Sequence, residues 1–247
     1  MKNVILFLFS IYEKVVLLFM KPIFYREQKY PLKRMNERPV EFAFAFRYIA
    51  QFYPKTMLDV GTGGTAFPHI VNYCGIKMTA SDYVDKYWTN GMSNRHVPIT
   101  KLDITKPSIS QKFDMITCIS VLEHIIEHRA ALKGMFSLLN EGGHIVLTFP
   151  YNETTYVEDV YRHPNAGYGK DHAFIGQVYS REQVNHWVND NNAEIVCQEY
   201  YEAFTGELWT MGESIYPLKP TTADKKHHLT CILLKAFLLI LSLISFE

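Results

Sequence analysis

The chain has 247 residues, enough for one large domain with terminal additions. Its 25 Lys and Arg balance 25 Asp and Glu, so no overall field steers it toward nucleic acid, and a nucleic-acid substrate is not favoured. Cys74, Cys118, Cys197 and Cys231 lie far apart in apolar runs without metal-ligand spacing, which predicts free thiols in a reducing cytoplasm and no metal.

Residues 4–20 are apolar except for Ser10, Glu13 and Lys14, with Lys2 before them and Lys21-Pro22 after. No small-residue cleavage site follows, which argues against a signal peptide. Glu13 and Lys14 near the centre argue against a spanning helix. An interfacial helix on a membrane surface fits this composition, and so does a helix packed on the domain or on a second subunit. Residues 24–38 add a basic linker, so residues 1–38 are expected to stand apart from the main domain. Pro39 can open a helix whose apolar positions Phe42, Phe46, Ile49 and Tyr53 recur at helical spacing until Pro54 stops it.

From residue 56 strand and helix alternate, which predicts an α/β domain over residues 39–235 with a largely parallel sheet covered on both faces. Strands are expected at residues 56–60, 77–81, 97–102, 113–120 and 144–149. Helices are expected at 67–74 and after residue 120, the latter with Leu132, Met135, Phe136 and Leu139 on one face and a stop at Asn140 and Gly142-Gly143. Residues 151–178 show little periodicity and read as a long functional loop or lid. Ser180 and Gln183 form a capping-box pattern for a further helix. Residues 193–204 and 228–235 read as two last strands, separated by an insertion containing Trp209 and Glu213. Residues 236–247 form an apolar tail that poses the same question as the N-terminal run.

The glycines Gly61 and Gly63, with Thr62 between them, sit where the first strand turns into a helix, so that backbone N–H groups can approach a polar ligand. Asp59 departs from a dinucleotide site, where phosphates disfavour a nearby carboxylate, and suits a cationic ligand instead. Asp82, with Tyr83 beside it, ends the second strand, where a carboxylate can accept ribose hydroxyls. Asp103, followed by Ile104, ends the third. Each acid alone reads as a solvated strand end or a helix cap. Three of them at successive C-terminal strand ends, where open α/β sheets bind ligands, point to one site.

The segments Leu58-Asp59-Val60-Gly61-Thr62-Gly63, Thr79-Ala80-Ser81-Asp82, Leu102-Asp103-Ile104-Thr105 and the run 113–124, ending in Ser120-Val121-Leu122-Glu123-His124, resemble the successive motifs of class I S-adenosylmethionine-dependent methyltransferases. The resemblance covers roughly residues 40–150. It implies a three-layer Rossmann-like sandwich with a seven-stranded, mostly parallel sheet and one antiparallel strand, here with apolar terminal helices. It also implies S-adenosylmethionine as cofactor, with Asp59, Gly61 and Gly63 around the methionine moiety, Asp82 on the ribose, Asp103 and Ile104 on the adenine, and Ser120 on the floor. One departure is Thr65, which stands where the pattern has a third glycine. Gly64 beside it can supply the small residue, and Thr65 can cap the following helix.

Methyl transfer from a sulfonium needs chiefly alignment, and a hydroxyl acceptor would also gain from a base. Candidates are His124 and, within the lid, His172, which Asp171 would orient. Tyr151, Asn152, Tyr168 and Tyr179 are candidate acceptor contacts, with Trp209 and Glu213 more remote ones. The expected acceptor is an O or N atom of a small molecule or glycan precursor, lipid-linked forms included. Rival readings are a lipid or quinone-like acceptor at the membrane, a non-catalytic cofactor-binding partner subunit, and a nicotinamide-dependent dehydrogenase, which Asp59 disfavours.

Overall fold

A computed structural model describes residues 2–28, 36–83, 94 and 96–237. The chain divides into two units, Met1–Asn36 and Glu37–Glu247. Helix α1, Lys2–Gln28, makes up most of the first. Residues 29–35 of the basic linker and 238–247 of the apolar tail lie outside the described residues.

The second unit opens with α2, Arg38–Phe52, which has a proline in its first turn and Tyr53 in a left-handed C-cap conformation. The buried face of α2 is Glu41, Phe44, Ala45, Tyr48 and Ile49. This is offset from the apolar stripe expected from the sequence, because Glu41 is inside and Tyr53 points to solvent. The order then runs β1 (Thr56–Val60), α3 (Phe67–Tyr73), β2 (Lys77–Asp82), β3 (Thr100–Lys101), β4 (Phe113–Ile119), α4 (His128–Ser137), β5 (Leu139–Pro150), α5 (Arg181–Asp190), β6 (Ala193–Phe204), β7 (Ser214–Thr221) and β8 (Leu229–Ala236).

The strands form one sheet in the order β3-β2-β1-β4-β5-β8-β6-β7. The pairs β2–β3, β1–β2, β1–β4 and β4–β5 are parallel, while β5–β8, β8–β6 and β6–β7 are antiparallel. β8 and β7 therefore run against the other six strands. The expected seven strands with one antiparallel member become eight with two, because the insertion carrying Trp209 and Glu213 contains β7. Its prolines, Pro217 and Pro220, read as loop punctuation, and an edge strand is where a sheet tolerates them. Two further boundaries move. β3 is a two-residue strand at the far edge, and β5 begins at Leu139, so Asn140 and Gly142 belong to an irregular strand entry, not to a helix stop. Gly142 takes φ 72° there, and the pairing with β4 shifts register between Phe113 and Met115.

Side chains of the central strands alternate between two cores, as period-2 geometry requires. Met57, Met115 and Val146 pack with Phe44 and Phe67 on the α2 and α3 side. Leu58, Ile116 and Ile145 pack with Leu132, Met135 and Trp187 on the α4 and α5 side. The result is a three-layer sandwich. The strand order reverses between β1 and β4, and at such a switch point the helices after the two strands depart to opposite faces, leaving a crevice outside the carboxyl ends.

Candidate active site

A cavity of about 730 Å³ occupies that crevice, within the roughly 300–1,000 Å³ usual for small-molecule sites. Asp59, Gly61, Thr62, Gly63, Asp82 and Tyr83 line it from β1, β2 and the turns after them. Asp103, Ile104, Ser120 and His124 complete the set of expected residues around the same space. His172 does not line it.

The turn after β1 is tied down at both ends. Gly61 and Thr62 donate their N–H groups to the Ser81 carbonyl at 2.9 and 3.0 Å. The Gly63 N–H donates to Oδ2 of Asp82 at 2.9 Å. Gly61 has φ 72°, and a Cβ there would stand 2.4 Å from Cγ1 of Val121, so both conformation and space demand glycine. Asn94 clasps the turn from outside, donating through Nδ2 to the carbonyls of Gly63 and Thr65 at 2.9 Å each. Thr65 does not cap α3, whose N-cap is Ala66 without a side-chain bond. Its hydroxyl donates instead to the Thr62 carbonyl at 3.0 Å and closes the turn on itself.

Asp59 is 4% exposed. One carboxylate oxygen accepts from the Thr117 hydroxyl at 2.6 Å and the other from the Thr62 hydroxyl at 2.7 Å. Burial pushes its pKa up to about 6 despite those two bonds. A cation in the cavity would oppose that burial cost and favour the ionised form. Asp103 accepts from both the N–H and the hydroxyl of Thr105 at Oδ1, at 2.9 and 2.6 Å. Behind it α4 comes very close to the chain: a Cβ on Gly134 would lie 1.8 Å from the Ile104 carbonyl oxygen. Only glycine allows the helix to press Ile104 into this position.

Residues not singled out from the sequence complete the site. Arg38, Phe42, Phe67, Val121 and Phe174 line the cavity. Arg38 donates to Oε2 of Glu41 at 2.7 Å and to the Ile119 carbonyl at 3.2 Å. Glu41, fully buried, also accepts from the Ser120 hydroxyl and from the Thr148 hydroxyl at 2.7 Å. Ser120 itself takes φ 47°, its N–H held by the Thr148 hydroxyl at 3.0 Å. Glu41 thus joins α2 to the ends of β4 and β5. Nothing in the local pattern announces this, since an Arg next to a Pro at a helix start reads as linker and a Glu in a first turn reads as dipole-favoured surface.

His124 sits on a single-turn 3-10 helix, Leu122–His124. Its Nδ1 is 2.7 Å from the Ile175 carbonyl oxygen, which makes Nδ1 the protonated nitrogen and leaves the lone pair on Nε2. Burial lowers its pKa, so the ring is neutral at pH 7. Its neighbour Glu123 is 1% exposed. Oε2 of Glu123 has no hydrogen-bond partner among the described residues, and burial pushes its pKa up to about 8.

The segment expected to be a lid packs against this turn. Gln177 donates its N–H to the Glu123 carbonyl at 3.0 Å and its Nε2 to the Ile125 carbonyl at 2.9 Å. The Tyr179 hydroxyl donates to the Leu122 carbonyl at 2.7 Å. Gly169 and Gly176 lie flat on the ring of Tyr161, where a Cβ would come within 2.1 and 2.7 Å. His172 packs on Tyr161 and Phe174, with ring centroids 5.0 and 4.8 Å away. It thus contacts Phe174, which lines the cavity, without lining the cavity itself. Tyr151 and Tyr179 are core residues packed on Phe149. Asn152 accepts from the N–H groups of Thr154 and Thr155 in a turn. Tyr168 and Trp209 pack on Tyr161. None of these lines the cavity. Among the described residues no group of His, Cys, Asp and Glu is placed to hold a metal ion.

A doubly wound sheet with an antiparallel strand inserted beside β5, and acids at three strand ends around one crevice, define a class I S-adenosylmethionine-dependent methyltransferase. The methyltransferase domain family model matches residues 28–198, more than half of the chain, and the chain belongs to that family. The ubiquinone biosynthesis O-methyltransferase of Idiomarina loihiensis is 27% identical over 122 residues, covering 47% of this chain and 49% of that protein. That of Serratia proteamaculans is 22% identical over 131 residues, covering 47% and 50%. The chain spans about half the length of the curated relatives it matches. Among solved structures, an S-adenosylmethionine-dependent methyltransferase of Thermotoga maritima superimposes with a TM-score of 0.53 at 12% identity, covering 90% of this chain and 100% of that one. Another from Clostridium acetobutylicum gives 0.50 at 15% identity, covering 91% and 98%. At such identities the structures speak for the fold alone.

Proposed function

We propose that the chain transfers a methyl group from S-adenosylmethionine to an oxygen or nitrogen atom of a small molecule or glycan precursor. The observation that carries this reading is the cavity whose lining joins Asp59, Asp82, Asp103 and the Gly61–Gly63 turn with His124, Phe42 and Phe174. When bound, S-adenosylmethionine supplies an electrophilic methyl group on a positively charged sulfur. Asp59 favours that cation and its ammonium group, and Arg38 is placed to receive a carboxylate. Asp82 accepts from ribose hydroxyls, and Asp103 with Ile104 takes the adenine. The apolar side chains around His124 exclude water and align the acceptor, which is most of what a displacement needs. For a hydroxyl acceptor, Nε2 of His124 takes the proton as the new bond to carbon forms. His172, packed on Phe174 outside the cavity lining, supports the lid in this reading and does not touch the acceptor.

A second reading, methylation of a lipid or quinone-like acceptor, draws support from the relatives' name and from the exposed apolar residues of α1. Both readings face one experiment. Purified protein, extract and methyl-labelled S-adenosylmethionine are incubated, and label is sought in aqueous and solvent-extractable fractions. Label in the aqueous fraction supports the first reading and label in the lipid fraction the second. No label in either, with cofactor binding intact by calorimetry, would point to a non-catalytic binding subunit. Binding of NAD in place of S-adenosylmethionine would overturn the cofactor assignment.

A further inference from the structure

We infer that α1 is a docking element for an anionic lipid surface, lying in the plane of the bilayer interface with its broad apolar face inward. Whatever the acceptor, the side chains of α1 are distributed around a helix that turns about 100° per residue. Ser10, Glu13 and Lys14 fall within one sector of about 100°, with Leu17 between them. The other exposed apolar residues from Ile5 to Phe19 spread over an arc of roughly 200° on the opposite side. At the middle of that arc stand Leu8 and Phe19, and Phe19 is 75% exposed. Phe9 and Tyr12 add an aromatic pair with ring centroids 6.2 Å apart.

The width of the arc selects the occupant. A helix that packs on a globular domain needs an apolar stripe little more than about 100° wide, and a coiled-coil seam is narrower. A helix half sunk into acyl chains has about half its circumference in an apolar medium and keeps one polar stripe in water. The charges select the lipid. Between residues 21 and 34 the sequence carries Lys21, Arg26, Lys29, Lys33 and Arg34 against Glu27 alone, in a chain whose formal net charge is zero. Basic residues at the end of an amphipathic helix and in the sequence just beyond it complement an anionic headgroup layer. Glu13 and Lys14 lie near the middle of the apolar run, where a spanning helix would carry them into the hydrocarbon. Among the described residues no helix is long and apolar enough to cross a membrane.

The test uses the full chain and vesicles of phosphatidylcholine with and without one quarter phosphatidylglycerol, read by co-sedimentation. Binding is expected to be at least about tenfold tighter to the anionic vesicles, to weaken in high salt, and to be released by alkaline carbonate. Leu8→Glu with Phe19→Glu, at the centre of the apolar arc, should lower vesicle binding by more than about tenfold. Leu17→Glu, inside the polar sector, should change it little. Thermal melting and S-adenosylmethionine binding of each variant check that the second unit is intact. Equal losses from the two sets of substitutions, resistance to carbonate, or indifference to phosphatidylglycerol would each overturn the inference. So would light scattering that shows a lipid-free oligomer, dissolved by Leu8→Glu with Phe19→Glu, in a chain that ignores vesicles.

Discussion

Glu123 offers the sharpest test of the site's electrostatics, because it is a buried acid whose second oxygen goes unmatched among the described residues. Its pKa rises from the ordinary 4.5 to about 8, with burial as the main cause. An acid whose folded pKa lies above its unfolded one is bound to its proton more tightly in the native state. Stability is therefore greatest at low pH and falls as pH rises through the window from 4.5 to about 8. Each tenfold change in proton affinity is worth ~1.4 kcal/mol, so this one group removes on the order of 3 to 4 kcal/mol between pH 5 and pH 8. Against a typical total of about 5–15 kcal/mol that loss is easily measured. Glu123→Gln keeps the shape and abolishes the titration, while the burial of its amide adds an offset that does not depend on pH. Urea unfolding of both proteins at half-unit steps from pH 5 to pH 9 isolates the contribution, since every other group cancels in the difference. The wild-type curve should fall relative to the variant by on the order of 1 kcal/mol per pH unit up to pH 8 and then level off. Parallel curves would refute the burial argument.

Three further outcomes follow from the same geometry. Because burial pushes the Asp59 pKa up to about 6, S-adenosylmethionine affinity should drop about tenfold from pH 7 to pH 5, more than that of S-adenosylhomocysteine, which lacks the sulfonium charge. Calorimetry across that range checks it, and a drop that persists in Asp59→Asn would place the cause elsewhere. Gly61→Ala forces a Cβ against Val121 at φ 72° and should weaken cofactor binding by an order of magnitude, with Val121→Ala in the same chain restoring part of the loss by removing the clash. No recovery would mean that the backbone conformation alone sets the requirement. Thr148→Val withdraws one donor from the fully buried Glu41 and should cost about 1–3 kcal/mol in urea unfolding. A neutral result would show that Arg38 and Ser120 suffice.

The parts of the molecule legible in the sequence are those where one residue type answers one local demand. Asp59, Asp82 and Asp103 fall at or beside the carboxyl ends of strands, so strand ends and the acids that line the cavity announce themselves together. Gly61 and Gly63 mark a turn whose positive φ values the structure bears out, at 72° and 57°. The Ser180 and Gln183 pair forms the capping box its spacing implies. What stayed hidden depends on distant partners. Arg38 and Glu41 acquire their roles only when α2 docks against the ends of β4 and β5. Gly134 looks like a weak point in a helix until the Ile104 carbonyl arrives beside it. β7 escaped notice because its prolines suit an edge strand that only the completed sheet provides. The tyrosines of residues 151–179 misled for a related reason, since a loop rich in aromatics and hydrogen-bonding groups resembles a binding surface. Here many of those groups bind the loop itself around Tyr161.

Glu41 shows why the helix before the sheet belongs to the site and is not mere packing. A buried carboxylate is stable only when its acceptor capacity is filled, and Glu41 meets that condition with Arg38, Ser120 and Thr148 at once. Ser120 carries the left-handed turn that ends β4, so its geometry depends on the same carboxylate. Arg38 is thereby held on the cavity wall, and Val121, the residue after Ser120, stands close against Gly61. The two halves of the crevice, one built by β1 and its glycine turn and the other by β4 and the His124 turn, are coupled through the side chain of Glu41. A change in the docking of α2 would consequently alter both parts of the cavity lining together.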